Sequence, residues 1–426
     1  MPELRSIILA AGKGTRMKSD VPKVLHPVLG RPMIDYVLDV AASAGSLKNV
    51  VILGHGFEQT KTHVGTRGIA VRQKRLWGTA DAVRSAESQL RGFKGDVLVL
   101  CGDTPLLNRQ TIRNLIRRHR SSKAACTVMT ADVPCPAGYG RIIRSSDGKN
   151  VLAIREDKDL NDEQRSISEI NVGLYVFNSA ALWAALKKIK LNSKKKEFYL
   201  TDIAAILAGE GQPVSGFMID NPYEGLGINT REDLALAESV MRREILKKVM
   251  RDGVTIIDPT TTFIGHNVKI GRDTVLKPFT HIENDVTIGK RCVIGPFARL
   301  RPGTKLANEV EVGNFTEVSR TTVGSKTFMK HFSFLGDARV GANVNIGAGT
   351  VTANFDGKNK NITKISDGAF IGSDSVLVAP VTIGKHAVVG AGSVVTAGRN
   401  VPSGALVMGV PARRVQRKSK RTKYEQ

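Results

Sequence analysis

The chain has 426 residues, of which 41% are hydrophobic and 24% charged, an ordinary composition for a globular protein of two or three domains. Its 63 lysines and arginines against 39 acidic residues give a formal net charge of +24, which attracts phosphates of any kind but selects no function by itself. No apolar run approaches the ~20 residues needed to span a bilayer, so we do not expect membrane insertion.

The four cysteines, Cys101, Cys126, Cys135 and Cys292, form no C-x-x-C pair and match no zinc-ligand spacing. We therefore expect reduced thiols, as in a cytosolic protein. The apolar run at residues 7–11 is too short for the hydrophobic region of a signal peptide. Together these features predict a cytoplasmic protein.

The first half of the chain alternates between strand and helix patterns. In chain order these are a strand at 6–10, a helix at 33–44, a strand at 50–54, a helix at 79–90 and a strand at 96–101. Such alternation predicts a Rossmann-like α/β domain, residues 1–229, whose mostly parallel sheet is covered by helices on both faces. Ligands of such sheets bind at the carboxyl ends of the strands.

A long helix is predicted at residues 231–250. Thr230 suits the N-cap position, acidic residues fill the first turn, and Lys247 and Lys248 lie in the last turn. Asp252 and Gly253 end the pattern. We interpret residues 230–251 as a rigid connector between two domains.

The second half is a repeat with a period of six residues. Its aliphatic positions are Ile264, Ile270, Leu276, Ile282, Ile288, Ile294, Leu300, Leu306, Val312 and Val318, then Ile365, Ile371, Leu377, Ile383, Val389, Val395, Val401 and Val407. This period fits a triangular coil with one short strand on each side, and fits neither a helix nor a hairpin. We predict an all-β domain at residues 252–412, a loop at 353–363 and a basic, flexible tail at 413–426.

The first predicted strand runs into a glycine loop, residues 9–17, with the sequence Leu-Ala-Ala-Gly-Lys-Gly-Thr-Arg-Met. Gly12 and Gly14 would let backbone N–H groups approach phosphates, and Lys13 and Arg16 add positive charge. The spacing matches neither the Walker A motif nor the dinucleotide fingerprint. Alone, the loop is equally compatible with a plain strand–helix turn.

Pro22-Lys23-Val-Leu-His26 follows this loop, and the two motifs together resemble the sugar-nucleotide pyrophosphorylases. Further matches occur in family order at Gln73, Gly78-Thr79, Gly102-Asp103, Tyr139-Gly140-Arg141, Glu156, 162–164, 169–173, 198–202 and 227–229. With the hexapeptide half, the chain resembles the bacterial bifunctional N-acetylglucosamine-1-phosphate uridylyltransferase/glucosamine-1-phosphate acetyltransferases. By that resemblance the second half is a left-handed parallel β-helix, and the pathway is UDP-N-acetylglucosamine synthesis for cell-wall biogenesis.

The resemblance also assigns the contacts of the first site. The nucleotide- and sugar-binding residues are Leu9, Ala10, Ala11, Gly12, Lys23, Gln73, Gly78, Thr79, Gly102, Asp103, Gly140, Glu156, Asn171 and Asn229. Within this set, Gln73 and Gly78-Thr79 read the uracil, whereas Gly140, Glu156 and Asn171 hold N-acetylglucosamine. Asp103 and Asn229 coordinate Mg²⁺, for which oxygen ligands are suited.

The implied reaction is attack of a sugar-phosphate oxygen on the α-phosphorus of UTP, which expels pyrophosphate. Two anions must meet, so positioning and charge neutralisation dominate, and Arg16 and Lys23 are expected to stabilise the transition-state charge. The phosphate is already ionised, so the reaction needs no general base. We expect Asp103→Ala to keep the fold and lose uridylyl transfer.

Acetyl transfer is the second implied activity, with acetyl-CoA as co-substrate and glucosamine 1-phosphate as acceptor. His331 lies where the family has its proposed proton acceptor. The acceptor and acetyl-CoA contacts fall on Arg301, Asn345, Ala348, Asn354, Phe355, Ser373 and Ala391. The resemblance further implies a homotrimer.

Three positions depart from the family pattern in this half. Ser319 stands in place of a lysine, Phe334 in place of a tyrosine and Gly409 in place of an arginine. Arg320 adjoins Ser319, but neighbouring strand residues face opposite sides, so we do not expect it to substitute for the lysine. The acetyltransferase is thus retained, altered in its acceptor, or lost, and in the last case the β-helix is only a trimerisation scaffold.

Two other functions are weighed against this one. Nucleic-acid binding would use the net charge and the tail, but no aromatic-rich stripe or helix-turn-helix supports it, so we expect no nucleic-acid partner. A metalloenzyme built on His266, His281, His331 and His386 is disfavoured, because the spacing of the first two is no multiple of six.

Overall fold

The protein is described by a computed structural model that covers residues 2–192 and 196–415. Its internal contacts divide the chain into two compact units, Met1–Val240 and Met241–Gln426. The dividing point lies within the long helix predicted as a connector. The functional division at 229, 251 and 412 stays a prediction.

The first unit contains eleven strands within the described residues. They are β1 Leu4–Ala10, β2 Pro27–Val28, β3 Arg31–Pro32, β4 Ser46–Leu53, β5 Ile69–Arg72, β6 Asp96–Cys101, β7 Cys126–Asp132, β8 Arg141–Arg144, β9 Val151–Arg155, β10 Glu169–Asn178 and β11 Val214–Met218. The main sheet has the order β11-β7-β10-β6-β1-β4-β5, with β8 and β9 attached to β10, and β2 pairs with β3 separately.

The helices of the chain cover the sheet of the first unit and lead into the second. They are α1 Met33–Ser43, α2 Phe57–Val64, α3 Thr79–Ser85, α4 Arg109–Ser121, α5 Asp162–Arg165, α6 Ser179–Lys188, α7 Asp202–Gly209 and α8 Arg231–Arg251. The helix predicted at 79–90 ends at Ser85 and is followed by a 3-10 turn, Glu87–Leu90. Among the described residues, no helix combines the length and the apolar character needed to cross a bilayer.

Strand β1 lies in the interior of the sheet and pairs in parallel with both β4 and β6. Its neighbouring residues Ile7 and Ile8 are fully buried in two different core clusters, one on each side of the sheet. Burial on both sides explains why β1 and β6 read as continuous apolar runs. The sheet is mixed, because β10 runs antiparallel between β6 and β7.

The second unit is a coil of short parallel strands in three sheets, called here the first, second and third faces. The first face contains Thr255–Ile256, Val275–Leu276, Val293–Ile294, Glu311–Val312, Phe328–Met329, Asn345–Ile346, Phe370–Ile371, Val388–Val389, Leu406–Met408 and Arg413–Arg414. The second contains Phe263–Ile264, His281–Ile282, Arg299–Leu300, Thr316–Ser319, Ser333–Gly336, Val351–Ala353, Val376–Val378 and Val394–Val395. The third contains Lys269–Ile270, Thr287–Ile288, Lys305–Leu306, Thr322–Val323, Ala338–Val340, Thr363–Ile365 and Val381–Ile383.

The six-residue repeat forms the core of this coil, as predicted. All the aliphatic repeat positions are buried except Ile270, which is partly buried and packs against the same core. Three sides of six residues make one coil, and Val275 accordingly pairs with Val293. The repeat shortens by one residue where Glu311 pairs with Phe328, and it lengthens where Asn345 pairs with Phe370. The extra length lies at 354–362, within the predicted loop.

Two corners of the coil carry most of the residues predicted for acetyl transfer. The first corner joins the first face to the second, and the second corner joins the second face to the third. Three phenylalanines on the first corner, Phe279, Phe297 and Phe315, stack with ring centroids 4.8 and 4.9 Å apart. Their exposures are 54%, 43% and 62%, so the first corner carries an exposed aromatic ladder.

Strand pairing in the described chain extends beyond residue 412. Arg413 and Arg414 pair antiparallel with Met408 and Val407. The reason is that Gly409, with φ of 98°, turns the chain back along its own strand. The rest of the predicted tail, 416–426, lies outside the described residues.

Candidate functional site

A cavity of about 670 Å³ opens at the carboxyl ends of β1 and β6 in the first unit. Its lining residues are Leu9, Ala10, Ala11, Gly12, Lys13, Pro22, Lys23, Val24, His55, Gln73, Leu76, Gly78, Thr79, Ala82, Cys101, Asp103, Glu156, Glu197 and Tyr199. The parallel register of β1 and β6 aligns their ends, and the Gly102 amide donates to the Leu9 carbonyl at 2.8 Å. The cavity therefore lies at the edge of the sheet where a ligand is predicted to bind.

The glycine loop is shaped by its packing against Lys23. Gly14 has φ of 63°, and a Cβ at that position would lie 2.8 Å from the Lys23 Cβ. A side chain at Gly14 would thus be strained and would also push Lys23 away. At Gly12, by contrast, no protein atom lies within 4 Å of an added Cβ. The backbone at Gly12 is open to the cavity, as an approaching phosphate requires.

Lys23 connects the two predicted metal ligands. Its ammonium forms an ion pair with Asp103 and donates a hydrogen bond of 3.0 Å to Asn229 Oδ1. Asn229 is oriented by two further bonds, since its Nδ2 donates to the Gly227 carbonyl at 3.0 Å and its amide donates to Asp233 at 2.9 Å. The amide oxygen of Asn229 therefore has to face the Lys23 ammonium.

Asp233 also completes the start of α8. The Asp233 amide donates to the Thr230 hydroxyl at 3.1 Å, and the Thr230 amide donates to the Asp233 carboxylate at 2.9 Å. This reciprocal capping agrees with Thr230 as the predicted N-cap. The cap of the helix and the orientation of Asn229 consequently depend on one carboxylate.

The Asp103 and Asn229 oxygens fit a divalent cation. Both converge on one positive charge, the Lys23 ammonium, and carboxylate and amide oxygens are ligand types that Mg²⁺ accepts. Among residues 2–192 and 196–415, no cluster of three His, Cys, Asp or Glu side chains could hold a metal on its own. A cation bound here would take its other ligands from phosphate oxygens and water.

Gln73 lies at the other end of the cavity and is 5% exposed. Its Nε2 donates to the Gly78 carbonyl at 3.1 Å and to Asp81 Oδ2 at 2.7 Å. Gly78 has φ of 95°, and the Thr79 hydroxyl accepts from the Leu200 amide at 3.0 Å. The three predicted uracil contacts are thus adjacent and tied to the start of α3.

The predicted sugar contacts meet where β8, β9 and β10 come together. The Asn171 amide donates to the Gly140 carbonyl at 2.8 Å, and Asn171 Nδ2 donates to the Tyr175 hydroxyl at 2.9 Å. Glu156 accepts from the Thr201 hydroxyl at 2.7 Å. Desolvation of Glu156 raises the pKa of its carboxyl, and the bond from Thr201 opposes this only in part.

Most of the predicted first-site residues line the cavity or bond to residues that line it. Gly140 and Asn171 bond to each other but do not line the cavity. Arg16 does not line it either, because it is exposed in the 3-10 turn Thr15–Met17. Cys101 lines it, but burial raises the pKa of its thiol to about 12, so the thiol stays protonated. The role of Arg16 stays a prediction.

Sequence reasoning missed five residues at this site. His55, Leu76, Ala82 and Glu197 line the cavity, and Asp81 binds Gln73 from behind. Asp81 could have been found, because an acidic residue in the first turn of a helix that follows Gly78-Thr79 is close to any group bound by that turn. The other four carry no signal in local sequence.

In the second unit, four predicted acetyl-transfer residues form one column along the first corner. His331, Ala348, Ser373 and Ala391 each lie three residues after a register-matched residue of the first face, namely Phe328, Asn345, Phe370 and Val388. Their backbones are in contact: the Ala348 carbonyl accepts from the Asp374 amide at 2.6 Å, and the Ser373 carbonyl accepts from the Gly392 amide at 2.8 Å. His331 is exposed at the start of this column.

The other predicted residues lie elsewhere on the coil. Asn345 is on the first face, whereas Arg301, Asn354 and Phe355 lie at the second corner. Arg301 Nη1 donates to Glu317 Oε1 at 2.9 Å, and its buried Nε has no partner among the described residues. The predicted residues thus flank the outer side of the second face from both of its corners.

The prediction that Arg320 points away from Ser319 was wrong. Arg320 Nη1 donates to the Ser319 hydroxyl at 2.9 Å, and its Nε and Nη2 donate to the Asp337 carboxylate at 2.7 and 2.8 Å. Strand alternation does not apply, because Arg320 follows the end of the strand and turns the second corner with φ of 49°. Asn354 Nδ2 donates a hydrogen bond of 2.5 Å to the same carboxylate.

Phe334 occupies the outer side of the second face beside this group. A Cβ on Gly336 would lie 2.7 Å from both the Phe334 ring and the Asn354 amide. The glycine thus makes room for the Phe334 ring. Ser319 is fully buried, so its side chain presents no surface to a ligand.

Comparison with known proteins agrees with the predicted fold of both halves of the chain. Residues 5–223 match the family described as nucleotidyl transferase, and residues 267–302 and 362–397 match the bacterial transferase hexapeptide (six repeats), as expected for a left-handed β-helix. The bifunctional protein GlmU of Geobacillus sp. (strain WCH70) is 43% identical over 94% of this chain and 94% of its own.

Other curated relatives cover nearly as much. GlmU of Pelotomaculum thermopropionicum is 46% identical over 89% of this chain and 90% of its own. GlmU of Bacillus subtilis (strain 168) is 42% identical, covering 95% of each chain. The chain therefore belongs to the GlmU family, the bifunctional uridylyltransferase/acetyltransferases that its motifs resemble.

Proposed function

We propose that the cavity of the first unit transfers uridylyl from UTP to N-acetylglucosamine 1-phosphate. An oxygen of the sugar phosphate bonds to the α-phosphorus, the bond from that phosphorus to the bridging oxygen breaks, and pyrophosphate leaves with the electron pair. No proton has to move, because the attacking oxygen is ionised. The observation that carries the proposal is the Lys23 ammonium held between Asp103 and Asn229 beside the glycine loop.

The chain's own groups serve mainly to neutralise and position charge. Backbone amides of residues 9–12 border the cavity where the triphosphate would lie, and Lys13 and Lys23 add positive charge there. Asp103 and Asn229 would hold Mg²⁺, which supplies further positive charge to the phosphate oxygens. Gly140, Glu156 and Asn171 would orient the sugar.

The test is pyrophosphate release by the purified full chain with N-acetylglucosamine 1-phosphate and each of UTP, CTP, ATP and GTP in turn. We expect turnover with UTP to exceed that with the others. A protein that releases pyrophosphate equally from all four, or from none, would contradict the proposal. Chelation of divalent cations with EDTA, followed by restoration with excess Mg²⁺, tests the metal assignment separately.

We further propose acetyl transfer to the amine of glucosamine 1-phosphate at the second face of the coil. The amine attacks the thioester carbonyl of acetyl-CoA, His331 accepts the amine proton, and the carbon–sulfur bond breaks with its electron pair going to sulfur. The protonated His331 then returns the proton to the thiolate, so that coenzyme A leaves as a thiol. The support is the corner column in which His331 aligns with Ala348, Ser373 and Ala391. Coenzyme A would lie along that corner.

Arg320 changes how the departures in this half are interpreted. The buried Ser319 cannot contact a phosphate, but the guanidinium bonded to it belongs to the same corner as Arg301. We propose that Arg301 and Arg320 together supply the positive charge that the family's lysine provides. Free-thiol release from acetyl-CoA with glucosamine 1-phosphate tests the activity; absence of release while UTP is turned over would favour the monofunctional alternative.

A homotrimer in the cytoplasm completes the proposal. The stacked ladder of Phe279, Phe297 and Phe315 exposes large apolar side chains in a row, which is a typical feature of a surface that another chain covers. A second copy of this chain is the natural occupant, because closed homo-oligomers bury such surfaces symmetrically. UTP and acetyl-CoA are both available in the cytoplasm.

A further inference from the structure

We propose that Asp81 sets the base preference of the first site by holding the Gln73 carboxamide in one of its two orientations. The inference rests on the proposed function in one respect, namely that the cavity binds a nucleoside triphosphate. Asp81 lies behind Gln73 and does not line the cavity, so it is a positioning residue.

A carboxamide can be placed in two orientations that differ by exchange of its oxygen and nitrogen. In this protein both hydrogens of Gln73 Nε2 are used, one for the Gly78 carbonyl at 3.1 Å and one for Asp81 Oδ2 at 2.7 Å. A carbonyl and an ionised carboxylate can only accept. The flipped carboxamide would point its oxygen at two acceptors, so the hydrogen-bond partners determine the orientation.

Gln73 Oε1 is the polar atom that remains for a ligand. It accepts no hydrogen bond from the described residues, and it is not among the buried unpaired side-chain atoms, although the residue as a whole is buried. The atom is therefore accessible, and Gln73 borders the cavity. The site presents a hydrogen-bond acceptor at this point and no donor from the same side chain.

An acceptor favours a base that carries a ring N–H on its pairing edge. Uracil offers N3–H there, whereas cytosine offers an unprotonated N3 that would face Oε1 as a second acceptor. Such a pairing leaves both buried groups without a partner, which is more costly than the loss of one good contact. Asp81 thus favours a uracil nucleotide by orienting Gln73, without contacting the nucleotide itself.

The alternative explanation is that Asp81 only stabilises the first turn of α3, where a carboxylate is favoured by the helix dipole. That role would affect UTP and CTP equally. The two explanations separate in the ratio of kcat/KM for UTP to kcat/KM for CTP.

The central variant is Asp81→Asn, which keeps the size of the side chain. An asparagine can turn its NH₂ toward Gln73, so that only the Gly78 carbonyl still opposes the flipped orientation, in which Gln73 presents Nε2 to the base. We expect the UTP-to-CTP ratio to fall by at least about tenfold, through loss with UTP more than through gain with CTP. Wild type should also prefer UTP over 3-deaza-UTP, which lacks the N3–H, and Asp81→Asn should reduce that preference.

Two further variants serve as controls. Asp81→Glu retains an acceptor behind Gln73 and should keep a ratio closer to wild type. Glu58→Gln removes an exposed first-turn carboxylate from α2 and should leave the ratio unchanged. If Asp81→Asn is inactive with both nucleotides, the relative affinities for UTP and CTP are measured by calorimetry, and a reduced binding ratio is the supporting result.

The outcomes also distinguish the inference from the proposed function. If the wild-type protein releases no pyrophosphate from UTP and binds no uracil nucleotide, the proposed function fails. If wild type prefers UTP, and Asp81→Asn keeps the same ratio in turnover and in binding, the inference about Asp81 is overturned while the proposed function stands.

Discussion

Lys23 Nζ lies 3.0 Å from Asn229 Oδ1, although the two residues are 206 positions apart in the chain. Lys23 follows the glycine loop, whereas Asn229 directly precedes the cap of α8. The contact means that the phosphate loop and the end of the nucleotidyltransferase segment must both be folded before the site has its charge. The first prediction follows from that dependence.

Replacing Lys23 with methionine keeps much of the side-chain volume and removes the charge. Asp103 would then face the phosphates without a counter-charge, so we expect the rate of pyrophosphate release to fall by roughly 10²–10³-fold. Steady-state kinetics with UTP provide the measurement. Lys18→Met, in the same segment but exposed, is the matched control. Near-normal turnover by Lys23→Met would remove Lys23 from the mechanism.

The raised pKa of Glu156 predicts a pH dependence. Below that pKa the carboxyl is protonated and loses capacity to accept hydrogen bonds from sugar hydroxyls. We expect KM for the sugar phosphate to rise as pH falls toward the pKa, at a higher pH than the ordinary glutamate value of about 4.3 would give. Glu156→Gln should show a high KM at every pH, apart from the titration of the substrate phosphate, which it shares with wild type.

The raised pKa of Glu156 favours sugar binding at high pH but lowers the stability of the fold there. Because the folded state raises the pKa, the ionised carboxylate of Glu156 is less favourable in the folded than in the unfolded chain. Glu156 therefore costs stability as pH rises above its ordinary pKa. Glu156→Gln should unfold at no lower a temperature than wild type at pH 8, and a clear destabilisation there would contradict the burial argument.

His331→Ala should separate the two activities. Loss of the proton acceptor should lower thiol release by roughly 10²–10⁴-fold and leave pyrophosphate release unchanged. His386→Ala is the matched control, because His386 is also an exposed histidine of the coil but is not part of the proposed site. Equal effects of the two substitutions on thiol release would argue against His331 as the base.

The pair formed by Arg320 and Asp337 predicts a pH-dependent stability. Hydrogen bonds from Arg320 and then Asn354 hold the pKa of Asp337 below its usual range. The contribution of this carboxylate is therefore present above its unfolded pKa and is lost as pH falls through the lower folded value. Asp337→Asn should unfold at a lower temperature than wild type at pH 7, with a difference that disappears in acid.

Calorimetry of wild type, Asp337→Asn, Arg320→Met and the double variant measures the coupling directly. We expect the second substitution to cost less in the presence of the first. Additive effects would show that the two side chains act independently. Thiol release by Arg320→Met tests separately whether the guanidinium also contributes to acceptor binding.

The aromatic ladder predicts an effect on assembly. Phe297 stacks on both Phe279 and Phe315, so Phe297→Asp places a charge at the centre of the exposed row. We expect wild type to sediment as a trimer and the variant to dissociate at micromolar concentration. A substitution at an exposed residue of the third face, such as Thr287→Asp, is the control. A variant that remains trimeric would place the subunit contact elsewhere.

Much of the coil could be predicted from the sequence, because every sixth residue has to fill the same interior. The position of the glycine loop was predictable only together with the Pro22–His26 motif, because a glycine loop after a strand is by itself equally compatible with a plain turn. The antiparallel insertion of β10 was not accessible, because its apolar residues are compatible with either strand direction. Strand order depends on connections that local patterns do not encode.

The contacts that the sequence did not reveal involve residues at or next to the ends of helices and strands. Arg320 contacts Ser319 because the strand ends at Ser319 and Arg320 turns the corner, so strand alternation does not apply to it. Asp81 meets Gln73 because Gly78 turns the chain with a positive φ before α3 begins. Both cases depend on one backbone dihedral at a turn, which residue patterns constrain weakly.

The register of the coil has a consequence for how this domain can change length. Whole circuits can be added or removed while every vertical column keeps its neighbours. Departures from the repeat length occur at a corner, where one residue is missing at Arg320 and extra residues are inserted at 354–362. A single residue inserted within a side would shift all later columns against the earlier ones, including the one that contains His331. Such a domain can therefore lengthen or shorten only by whole circuits.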